Sequence, residues 1–392
     1  MDMTIQPRAL RGDVTVIPSK SQAHRLLICA AFADAPTDLI CPETNRDIAA
    51  TVDCLNALGA DILRTPNGYT ISPIRQEPKT AVLDCCESGS TLRFMLPIAG
   101  ALGVNTVFQM DGRLPSRPLS PLWEEMERMG CQLSWYSESE LSVKGKLHPG
   151  DYSIDGGVSS QFITGLLFAA ALMDGDSTIH ILGKLESAPY VEMTQKAMAL
   201  FGIDTTGLHI KGSQVFRSPG ALTVEGDWSN GAFWLAATAL GNDVNVTNLD
   251  PKSPQGDRKV AELLQILPQK ICTSVSDIPD LVPILSVVAA ANQGAEFTDI
   301  RRLRLKESDR VASTIAMIQA LGGKAEASQD TLTIYGTGLT GGTVDACNDH
   351  RIAMSAAIAA TVCREPVTIL GAACVQKSYP KFWEEYERLS RP

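Results

Sequence analysis

Six short polar clusters recur along this chain of 392 residues, and an apolar, alanine-rich stretch follows each of them. The clusters lie at residues 19–21, 88–90, 159–161, 227–229, 277–280 and 348–350. Most are about 70 residues apart, which is long enough for a repeated supersecondary unit. Ser, Asp and Asn are favoured N-cap residues, so each cluster predicts the start of a helix. The free backbone N–H groups and the dipole of such a helix end attract phosphate and carboxylate groups.

Strand-like segments alternate with the predicted helices. Segments with β-branched residues and flanking turn signals lie at 13–17, 69–71, 105–110, 132–135, 177–182, 221–225, 243–249, 295–300, 331–335 and 366–370. Residues 162–172 and 352–360 are apolar on nearly all sides, which is typical of helices buried at the centre of a domain. Three such units fit before about residue 225 and three after it. The sequence therefore predicts an α/β (α+β) fold of two similar domains, each with three repeats of β and α units around buried core helices.

Composition narrows the class of protein. The chain is 44% hydrophobic and 20% charged, which is typical of a globular protein with sizeable cores. No apolar run reaches the roughly 20 residues of a membrane-spanning helix, and no basic start followed by an apolar run resembles a signal peptide, so we expect a cytoplasmic protein. The ten cysteines form no CxxC pair and the five histidines form no HxH or HExxH pattern, so we expect no metal site.

Cations accompany most of these helix starts and turns, although the chain has a net charge of −10. They are Lys20, Arg25, Arg93, Arg117, Lys306, Arg310, Arg351 and Lys377. Singly, such residues are more often ordinary surface groups beside ordinary caps. Their repeated association with helix starts favours a shared anion site, and two facing domains would direct six helix ends into one cleft. Lys306 and Arg310 are four residues apart, which predicts that they share a helix face with Glu307 beside them.

Ten short motifs, in order along nearly the whole chain, resemble those of the enolpyruvyl transferase family. They are SKSQAHR at 19–25, ESGSTLR at 87–93, RP at 117–118, DGGVSSQF at 155–162, SAPY at 187–190, VEGDWS at 224–229, DIPD at 277–280, LRLKESDR at 303–310, NDHRIAM at 348–354 and KSYP at 377–380. The resemblance implies two domains of the inside-out α/β barrel type, each a threefold pseudo-repeat. It implies an N-terminal domain of residues 19–225 and a C-terminal domain of residues 226–392 together with 1–18. Two crossover strands would join them, and we expect the domains to close when substrate neutralises the cations.

The resemblance also implies a reaction and a set of site residues. The enolpyruvyl group of phosphoenolpyruvate would pass to the 5-hydroxyl of shikimate 3-phosphate with release of phosphate, in chorismate and aromatic amino acid biosynthesis. The residues implied for shikimate 3-phosphate are Lys20, Ser21, Arg25, Ser159, Ser160, Gln161, Ser187, Tyr190, Asp280 and Lys306. Those implied for phosphoenolpyruvate are Lys20, Gly89, Arg93, Arg117, Gln161, Arg310, His350, Arg351 and Lys377. We expect Asp280 to accept the hydroxyl proton and either Glu307 or Lys20 to protonate the methylene carbon.

The expected partners are the two substrates alone, with no metal, organic cofactor, nucleic acid or membrane, and the expected state is a monomer. The acidic net charge agrees with the exclusion of nucleic acid and anionic membranes. The sequence departs from the commonest family pattern at three positions. Arg302 stands where some members carry a substrate-contacting Asn, Phe94 where a Pro is frequent, and Glu87 where an Asn is frequent. Gly89 keeps the small residue of members that are targets of glyphosate, but these departures leave inhibitor sensitivity open.

Two other functions remain open. The first is enolpyruvyl transfer to UDP-N-acetylglucosamine, whose enzyme typically carries a cysteine in the loop that corresponds to residues 112–117, and this loop has none. The second is a non-catalytic protein that binds a phosphorylated metabolite. Such a protein would need helix caps, but it would not need acids and bases such as Asp280, Glu307 and Lys20.

Overall fold

The computed structural model describes residues 1–391, and the chain divides into two compact units. One unit, here called the N-unit, is Pro18–Val224. The other, here called the C-unit, combines Met1–Ile17 with the chain from Glu225 onward. The chain therefore passes from one unit to the other at two places in the sequence.

Within each unit, α-helices that are buried nearly all round alternate with α-helices that are partly exposed. In the N-unit the α-helices are α1 (Lys20–Ala31), α2 (Arg46–Ala57), α3 (Gly89–Leu102), α4 (Leu122–Arg128), α5 (Ser160–Leu172) and α6 (Ala188–Leu200). In the C-unit they are α7 (Trp228–Ala239), α8 (Val260–Ile266), α9 (Val282–Ala291), α10 (Arg310–Ala320), α11 (His350–Ala359) and α12 (Phe382–Leu389). Short 3-10 turns lie at Leu114–Ser116, Thr206–Leu208, Gly256–Lys259, Arg301–Leu305 and Ala372–Lys377.

The strands form three sheets in each unit within the described part of the chain. The first two strands, β1 (Met3–Ile5) and β2 (Arg11–Thr15), belong to the C-unit. The N-unit strands are β3 (Thr37–Ile40), β4 (Asp61–Thr65), β5 (Gly68–Ser72), β6 (Thr80–Asp84), β7 (Asn105–Gln109), β8 (Cys131–Trp135), β9 (Glu140–Gly145), β10 (Asp151–Asp155), β11 (Ser177–Leu182), β12 (His209–Ile210) and β13 (Ala221–Thr223). The remaining C-unit strands are β14 (Asp243–Thr247), β15 (Ile271–Ser274), β16 (Gly294–Thr298), β17 (Lys324–Ala327), β18 (Thr331–Tyr335), β19 (Gly342–Asp345) and β20 (Val367–Leu370).

Parallel and antiparallel pairs occur together in these sheets. In the N-unit the strand orders are β13-β3-β5-β4, β6-β7-β9-β8 and β10-β11-β12. In the C-unit they are β1-β20-β19, β14-β2 and β15-β16-β18-β17. The pair β6–β7 is parallel, with Thr80 opposite Asn105, whereas β7–β9 is antiparallel. The sheets β6-β7-β9-β8 and β15-β16-β18-β17 share one pattern, in which a parallel pair is followed by an antiparallel hairpin.

Three helices in each unit are buried nearly all round, as the apolar stretches predict. They are α1, α3 and α5 in the N-unit, and α7, α9 and α11 in the C-unit. In α5 eleven of the 13 residues are buried. Small residues let such helices approach closely: a Cβ atom at Gly165 would lie 2.3 Å from the carbonyl oxygen of Arg93 in α3. Because these helices offer no polar face to solvent, their polar groups are concentrated at their ends.

The predicted helix starts at 19–21, 88–90, 159–161 and 227–229 are confirmed, and the capping side chains can be identified. Each side chain accepts a hydrogen bond from a backbone N–H in the first turn. The caps are Ser19 for α1, Ser88 for α3, Ser159 for α5, Asp227 for α7 and, within the 348–350 cluster, Asp349 for α11. These bonds satisfy one of the free N–H groups at each helix start.

Two predicted helix features are wrong. The cluster at 277–280 is followed by a helix, as predicted, but the expected polar cap is wrong, because the cap position of α9 is Leu281, which provides no side-chain hydrogen bond. Lys306 and Arg310 do not share a helix face, because Asp309 caps α10 and Lys306 lies before it in extended backbone with φ −85° and ψ −163°. A residue that caps a helix takes non-helical angles, so residues on its N-terminal side leave the helical spacing.

Several predicted strands run too long at their ends. The segment predicted at 243–249 ends at Thr247, and Asn248 has a φ of 67°. The segment predicted at 295–300 ends at Thr298, and Asp299 has a φ of 60°. A positive φ is incompatible with extended strand backbone, so the chain turns at these residues.

A recurrent turn carries the chain from a strand to a core helix. Asp84 ends β6, and its carboxylate accepts a hydrogen bond from the Cys86 N–H at 2.8 Å. Asp155 ends β10 and accepts from the Gly157 N–H at 2.7 Å, and Asp345 ends β19 and accepts from Cys347 at 2.8 Å. Asp side chains favour such local turns because they imitate a backbone carbonyl. These turns place the starts of α3, α5 and α11 beside the ends of their strands.

Candidate active site

The start of α1 in the N-unit carries a buried ion pair. Lys20 Nζ lies 2.8 Å from Asp47 Oδ2, and the two side chains are 14% and 6% exposed. Asp47 stands in the first turn of α2, after Asn45, which caps that helix. The carboxylate therefore holds the ammonium group at the beginning of α1, because separating a buried ion pair leaves an uncompensated charge.

Arg25, one turn along α1, is a buried cation whose guanidinium donates hydrogen bonds to uncharged acceptors. Its guanidinium donates to the Thr194 hydroxyl at 2.8 Å, to the Ser21 carbonyl at 2.6 Å and to the Tyr190 carbonyl at 3.0 Å. The side chain is 2% exposed, and burial lowers its pKa to about 10. A buried guanidinium held by neutral groups generates a positive potential that favours an anion nearby.

The starts of α3 and α5 are joined by polar side chains. Gln161 donates from Nε2 to the Ser90 hydroxyl at 2.9 Å and accepts from Arg93 Nη1 at 3.4 Å. A Cβ atom at Gly89 would lie 2.6 Å from Arg117 Nη1 and 2.7 Å from Arg93 Nη1, so both guanidinium groups lie close to the glycine backbone. The structure thus brings together Gly89, Arg93, Arg117 and Gln161, four residues that the family resemblance implied for phosphoenolpyruvate.

Hydroxyl groups line the starts of the N-unit helices as well. Ser159 caps α5 by accepting from the Gln161 N–H at 3.3 Å, and Ser160 is buried as the first residue of that helix. Ser187 precedes α6 in the left-handed region, with φ 57° and ψ 38°. This conformation is energetically unfavourable for a serine, and residues held in such conformations cluster at active sites and ligand-binding sites. Ser21 and Tyr190 are half-buried near Arg25, to which they offer their carbonyl groups.

In the C-unit a fully buried arginine is enclosed by three carboxylates. Arg310 Nη1 lies 2.6 Å from Asp280 Oδ1, its Nη2 lies 2.6 Å from Glu307 Oε2, and its Nε lies 3.0 Å from Asp349 Oδ2. Burial would lower the pKa of this guanidinium, but the three carboxylates outweigh burial and raise the pKa. Arg310 is therefore a permanent cation at the beginning of α10.

The Asp280 carboxylate lies close to three cations of the C-unit. Besides Arg310, it pairs with Arg351 through Oδ2 at 2.9 Å, and Lys306 Nζ lies 3.8 Å from Oδ1. Burial by itself would raise the pKa of Asp280, but the three cations outweigh burial and hold this pKa far below its ordinary value. The carboxylate is ionised throughout the physiological range, and its oxygens are occupied by cations.

Lys306 is the most easily titrated cation of the cluster. Burial and the neighbouring charge of Arg302, opposed in part by Asp280, lower the pKa of Lys306 to about 8. Arg302 is itself buried in the turn that precedes Lys306. Two adjacent buried cations repel each other, and an anion placed beside both relieves that repulsion.

The remaining sequence-predicted residues lie at the ends of C-unit elements. His350 is the first residue of α11 and is buried beside the Asp349 cap. Lys377 is the last residue of the 3-10 turn Ala372–Lys377 and is half-buried. Among residues 1–391, no cluster of three or more His, Cys, Asp or Glu side chains could hold a metal ion. Within the same range, no helix is both long and apolar enough to cross a membrane.

Two residues of the site were not singled out from the sequence. Asp47 resembles an ordinary acidic residue in the first turn of a helix, where the helix dipole favours it. Asp349 was interpreted as a cap, and it is one, but the same carboxylate also accepts from Arg310 and from the Ser308 hydroxyl at 3.1 Å. An acidic residue one or two positions after an Asn is the signal that both share, and it is too common to identify a site.

Comparisons with known proteins agree on one family. A family model described as EPSP synthase (3-phosphoshikimate 1-carboxyvinyltransferase) matches residues 5–274 and 267–386. A protein of Clostridium kluyveri named 3-phosphoshikimate 1-carboxyvinyltransferase is 38% identical, over 99% of this chain and 97% of its own length. A protein of Clostridium acetobutylicum with the same name is 38% identical, over 98% of this chain and 96% of its own length.

Solved structures agree at the level of the fold. The structure of EPSP synthase from Acinetobacter baumannii superposes with a TM-score of 0.81, covering 99% of this chain and 98% of that chain at 23% identity. A second structure of EPSP synthase from the same organism gives a TM-score of 0.80 at 22% identity. The predicted α/β class is thereby confirmed. With a family model matching most of its length and relatives at 38% identity, this chain belongs to the EPSP synthase (3-phosphoshikimate 1-carboxyvinyltransferase) family.

Proposed function

We propose that this protein transfers the enolpyruvyl group of phosphoenolpyruvate to the 5-hydroxyl of shikimate 3-phosphate and releases phosphate, a step of aromatic amino acid biosynthesis. The names of its relatives support this activity. One observation in the chain itself carries it furthest: Asp280 is surrounded by Lys306, Arg310 and Arg351. A carboxylate among cations offers a proton acceptor beside a binding site for anions, and both substrates carry a phosphate and a carboxylate.

In this proposal each substrate is bound by a set of polar residues, and Lys20 and Gln161 belong to both sets. The residues proposed for shikimate 3-phosphate are Lys20, Ser21, Arg25, Ser159, Ser160, Gln161, Ser187, Tyr190, Asp280 and Lys306. Those proposed for phosphoenolpyruvate are Lys20, Gly89, Arg93, Arg117, Gln161, Arg310, His350, Arg351 and Lys377. The neutral surroundings of Arg25 support an anionic ligand there, and the adjacent guanidinium groups of Arg93 and Arg117 suit a planar carboxylate or a phosphate.

The reaction needs one group that accepts a proton and one that donates it. The 5-hydroxyl attacks the carbon that bears the phosphate of phosphoenolpyruvate, its proton passes to Asp280, and the adjacent methylene carbon receives a proton from Glu307 or Lys20. The resulting tetrahedral intermediate then loses phosphate as its carbon–oxygen bond breaks and a proton leaves the methyl group. Arginine side chains and Lys377 stabilise the carboxylate and the departing phosphate.

The low pKa of Asp280 in the free protein requires that substrates change its surroundings. An ionised carboxylate bound to Arg310 and Arg351 is a weak base. When the carboxylate of phosphoenolpyruvate binds these guanidinium groups, Asp280 and Glu307 lose cationic partners, and their pKa values rise. Substrate binding thus converts two ion-paired carboxylates into groups able to exchange protons.

We further propose that the protein acts as a cytoplasmic monomer. The acidic net charge of −10 agrees with a protein that does not bind anionic membranes. Because each proposed ligand group is supplied by this single chain, no second copy is needed to complete the site.

A phosphate-release assay tests the activity. We expect phosphate only when both shikimate 3-phosphate and phosphoenolpyruvate are present, and a mass spectrum showing their enolpyruvyl adduct. Asp280→Asn should lower turnover about 10²- to 10⁴-fold, because the amide keeps the shape but cannot accept the proton. Asp243→Asn removes the same charge from an exposed strand residue of the C-unit and should leave turnover unchanged. Release of no phosphate by the unaltered protein would refute the proposed activity.

A further inference from the structure

The C-unit contains a buried acidic residue that the proposed reaction does not use. Asp257 lies in the 3-10 turn Gly256–Lys259 and is 1% exposed. Its Oδ2 atom accepts a hydrogen bond from the Ser229 hydroxyl near the start of α7. Its Oδ1 atom is buried and has no hydrogen-bond partner. A buried carboxylate oxygen without a partner is costly if it is charged, so this side chain needs an explanation.

The turn that carries Asp257 is fixed to the start of α7. The Gln255 side chain accepts from the Trp228 N–H at 3.0 Å and donates to the Gly226 carbonyl at 2.8 Å. The helix α7 in turn packs against α9 and α11. Asp280 stands two residues before α9, and Arg351 is the second residue of α11. The turn that carries Asp257 is therefore held, through α7, against the two helices whose first turns lie beside Asp280 and contain Arg351.

The charges around Asp257 set its protonation state. Burial and the negative charge of Asp280 raise the pKa of Asp257 to about 7, although Arg351 and the Ser229 hydroxyl act in the opposite direction. Asp227, which caps α7, adds a further negative charge that raises this pKa. The charged residues next to it on its own turn, Arg258 and Lys259, are exposed and so are screened by solvent, as is Glu262 on α8.

We propose that Asp257 is a positioning residue: when protonated it leaves Arg351 to Asp280 and the substrate, and when ionised it competes for Arg351 and weakens phosphoenolpyruvate binding. This role rests on the proposed function, in which Arg351 holds phosphoenolpyruvate. In the structure Arg351 Nη2 lies 2.9 Å from Asp280 Oδ2. An ionised Asp257 would therefore compete with Asp280 for the same guanidinium group. The Oδ1 atom of Asp257, which has no hydrogen-bond partner in the structure, would gain one by binding the Arg351 guanidinium group.

The sign of the effect follows from the protonation state. Below a pH of about 7 Asp257 is protonated and phosphoenolpyruvate binds well, whereas above it the carboxylate forms and the KM for phosphoenolpyruvate rises. By linkage, phosphoenolpyruvate must bind the protonated form more tightly than the ionised form. Its binding must therefore raise the pKa of Asp257, by an amount set by the ratio of the two affinities.

Kinetics with two variants and a control test this role. With shikimate 3-phosphate saturating, the KM for phosphoenolpyruvate is measured between a pH of about 6 and about 9, and we expect a rise of roughly three- to tenfold in the unaltered protein. Asp257→Asn is permanently neutral and should lose most of that rise. Ser229→Ala removes a hydrogen bond that favours the ionised form, so the rise should move to higher pH. Asp243→Asn, an exposed control, should keep the original profile.

The outcomes separate positioning from mere structural support. A purely structural Asp257 would lower activity in Asp257→Asn equally at every pH, and that result overturns the proposal. A Ser229→Ala profile that stays at its original position overturns it as well. Titration of phosphoenolpyruvate and of Lys306 affects the unaltered protein and the three variants alike. At each pH, the ratio of the KM of a variant to the KM of the unaltered protein therefore reports the contribution of Asp257 alone.

A measurement without turnover distinguishes failure of this role from failure of the proposed function. In protein labelled with carbon-13 at the aspartate carboxyl groups, NMR should show one resonance that titrates at about 7 and is missing in Asp257→Asn. Phosphoenolpyruvate alone should move that midpoint to higher pH. If the midpoint moves but no phosphate is released in the two-substrate assay, the proposed activity fails and the positioning role stands. A midpoint that phosphoenolpyruvate leaves unchanged overturns the positioning role even in an active enzyme.

Discussion

Arg310 and Asp349 form an ion pair in which neither side chain is exposed to solvent, with Nε 3.0 Å from Oδ2. The same carboxylate caps α11 through the Arg351 N–H, at 3.0 Å. One side chain therefore ties the first residue of α10 to the first turn of α11. These two helix starts carry Arg310 and Arg351, the two arginines that pair with Asp280, so Asp349 helps to set the spacing of those arginines.

The first prediction concerns stability. Asp349→Ala leaves a fully buried guanidinium short of one counter-ion and removes a helix cap, so the free energy of unfolding should fall by about 3–5 kcal/mol. Urea denaturation followed by circular dichroism measures the change. Glu385→Ala breaks the exposed pair with Arg388 and should cost less than about 1 kcal/mol. A similar small loss in Asp349→Ala would show that the buried pair adds no stability.

The second prediction concerns the pH dependence of shikimate 3-phosphate binding. The Lys306 ammonium is charged below a pH of about 8 and loses its proton above it, because burial lowers its pKa. Affinity for shikimate 3-phosphate should therefore decline above that pH, by at most about tenfold per pH unit. Lys306→Arg keeps its charge throughout and should bind with nearly constant affinity over the same range. Calorimetric titration at a series of pH values measures both, and parallel profiles would exclude Lys306 as the titrating group.

The third prediction concerns the glycine at the start of α3. In Gly89→Ala the added methyl group would meet the guanidinium ends of Arg117 and Arg93 at 2.6 and 2.7 Å, so both must shift. Since flexible side chains absorb the shift, the thermal midpoint should change little, whereas the KM for phosphoenolpyruvate should rise about tenfold or more. The KM for shikimate 3-phosphate serves as the internal control. Equal increases in the two KM values would contradict a local effect on phosphoenolpyruvate.

The fourth prediction concerns the orientation of Lys20. Asp47→Asn keeps the size of the side chain but removes the charge that holds the ammonium group, so kcat/KM should fall by about 10- to 100-fold through misplacement. Steady-state kinetics measure the loss. Glu192→Gln breaks an exposed ion pair with Lys196 in the same unit and should leave kcat/KM unchanged. If Asp47→Asn behaves like Glu192→Gln, Lys20 needs no such support.

Local sequence signals predicted the helix starts well. Ser19, Ser88 and Ser159 act as caps because capping depends on a side chain and a backbone N–H two or three residues away. Such short-range chemistry is visible in the sequence. The apolar helices were also predictable, since a helix that is apolar on all sides has no alternative to burial.

Long-range partners were not predictable in the same way. The sequence placed Lys306 and Arg310 together by helical spacing, whereas the structure brings them together at Asp280, which is 30 residues from Arg310 along the chain. Asp47 lies 27 residues from Lys20 and resembles any acidic residue in a first turn. The pairing of charges across such distances is set by how the core helices pack, and no local pattern in the sequence encodes it.

The start of α9 has no side-chain cap. At the five other core helices a Ser or Asp side chain caps the first turn. At α9 the cap position is Leu281, and the carboxylate of the preceding residue, Asp280, binds arginines instead. A side-chain cap contributes about 0.5–2 kcal/mol, so the chain forgoes that much local stability beside the proposed proton acceptor. A substitution that restores a side-chain cap at α9 should therefore raise the thermal midpoint, and under the proposed function it should lower turnover.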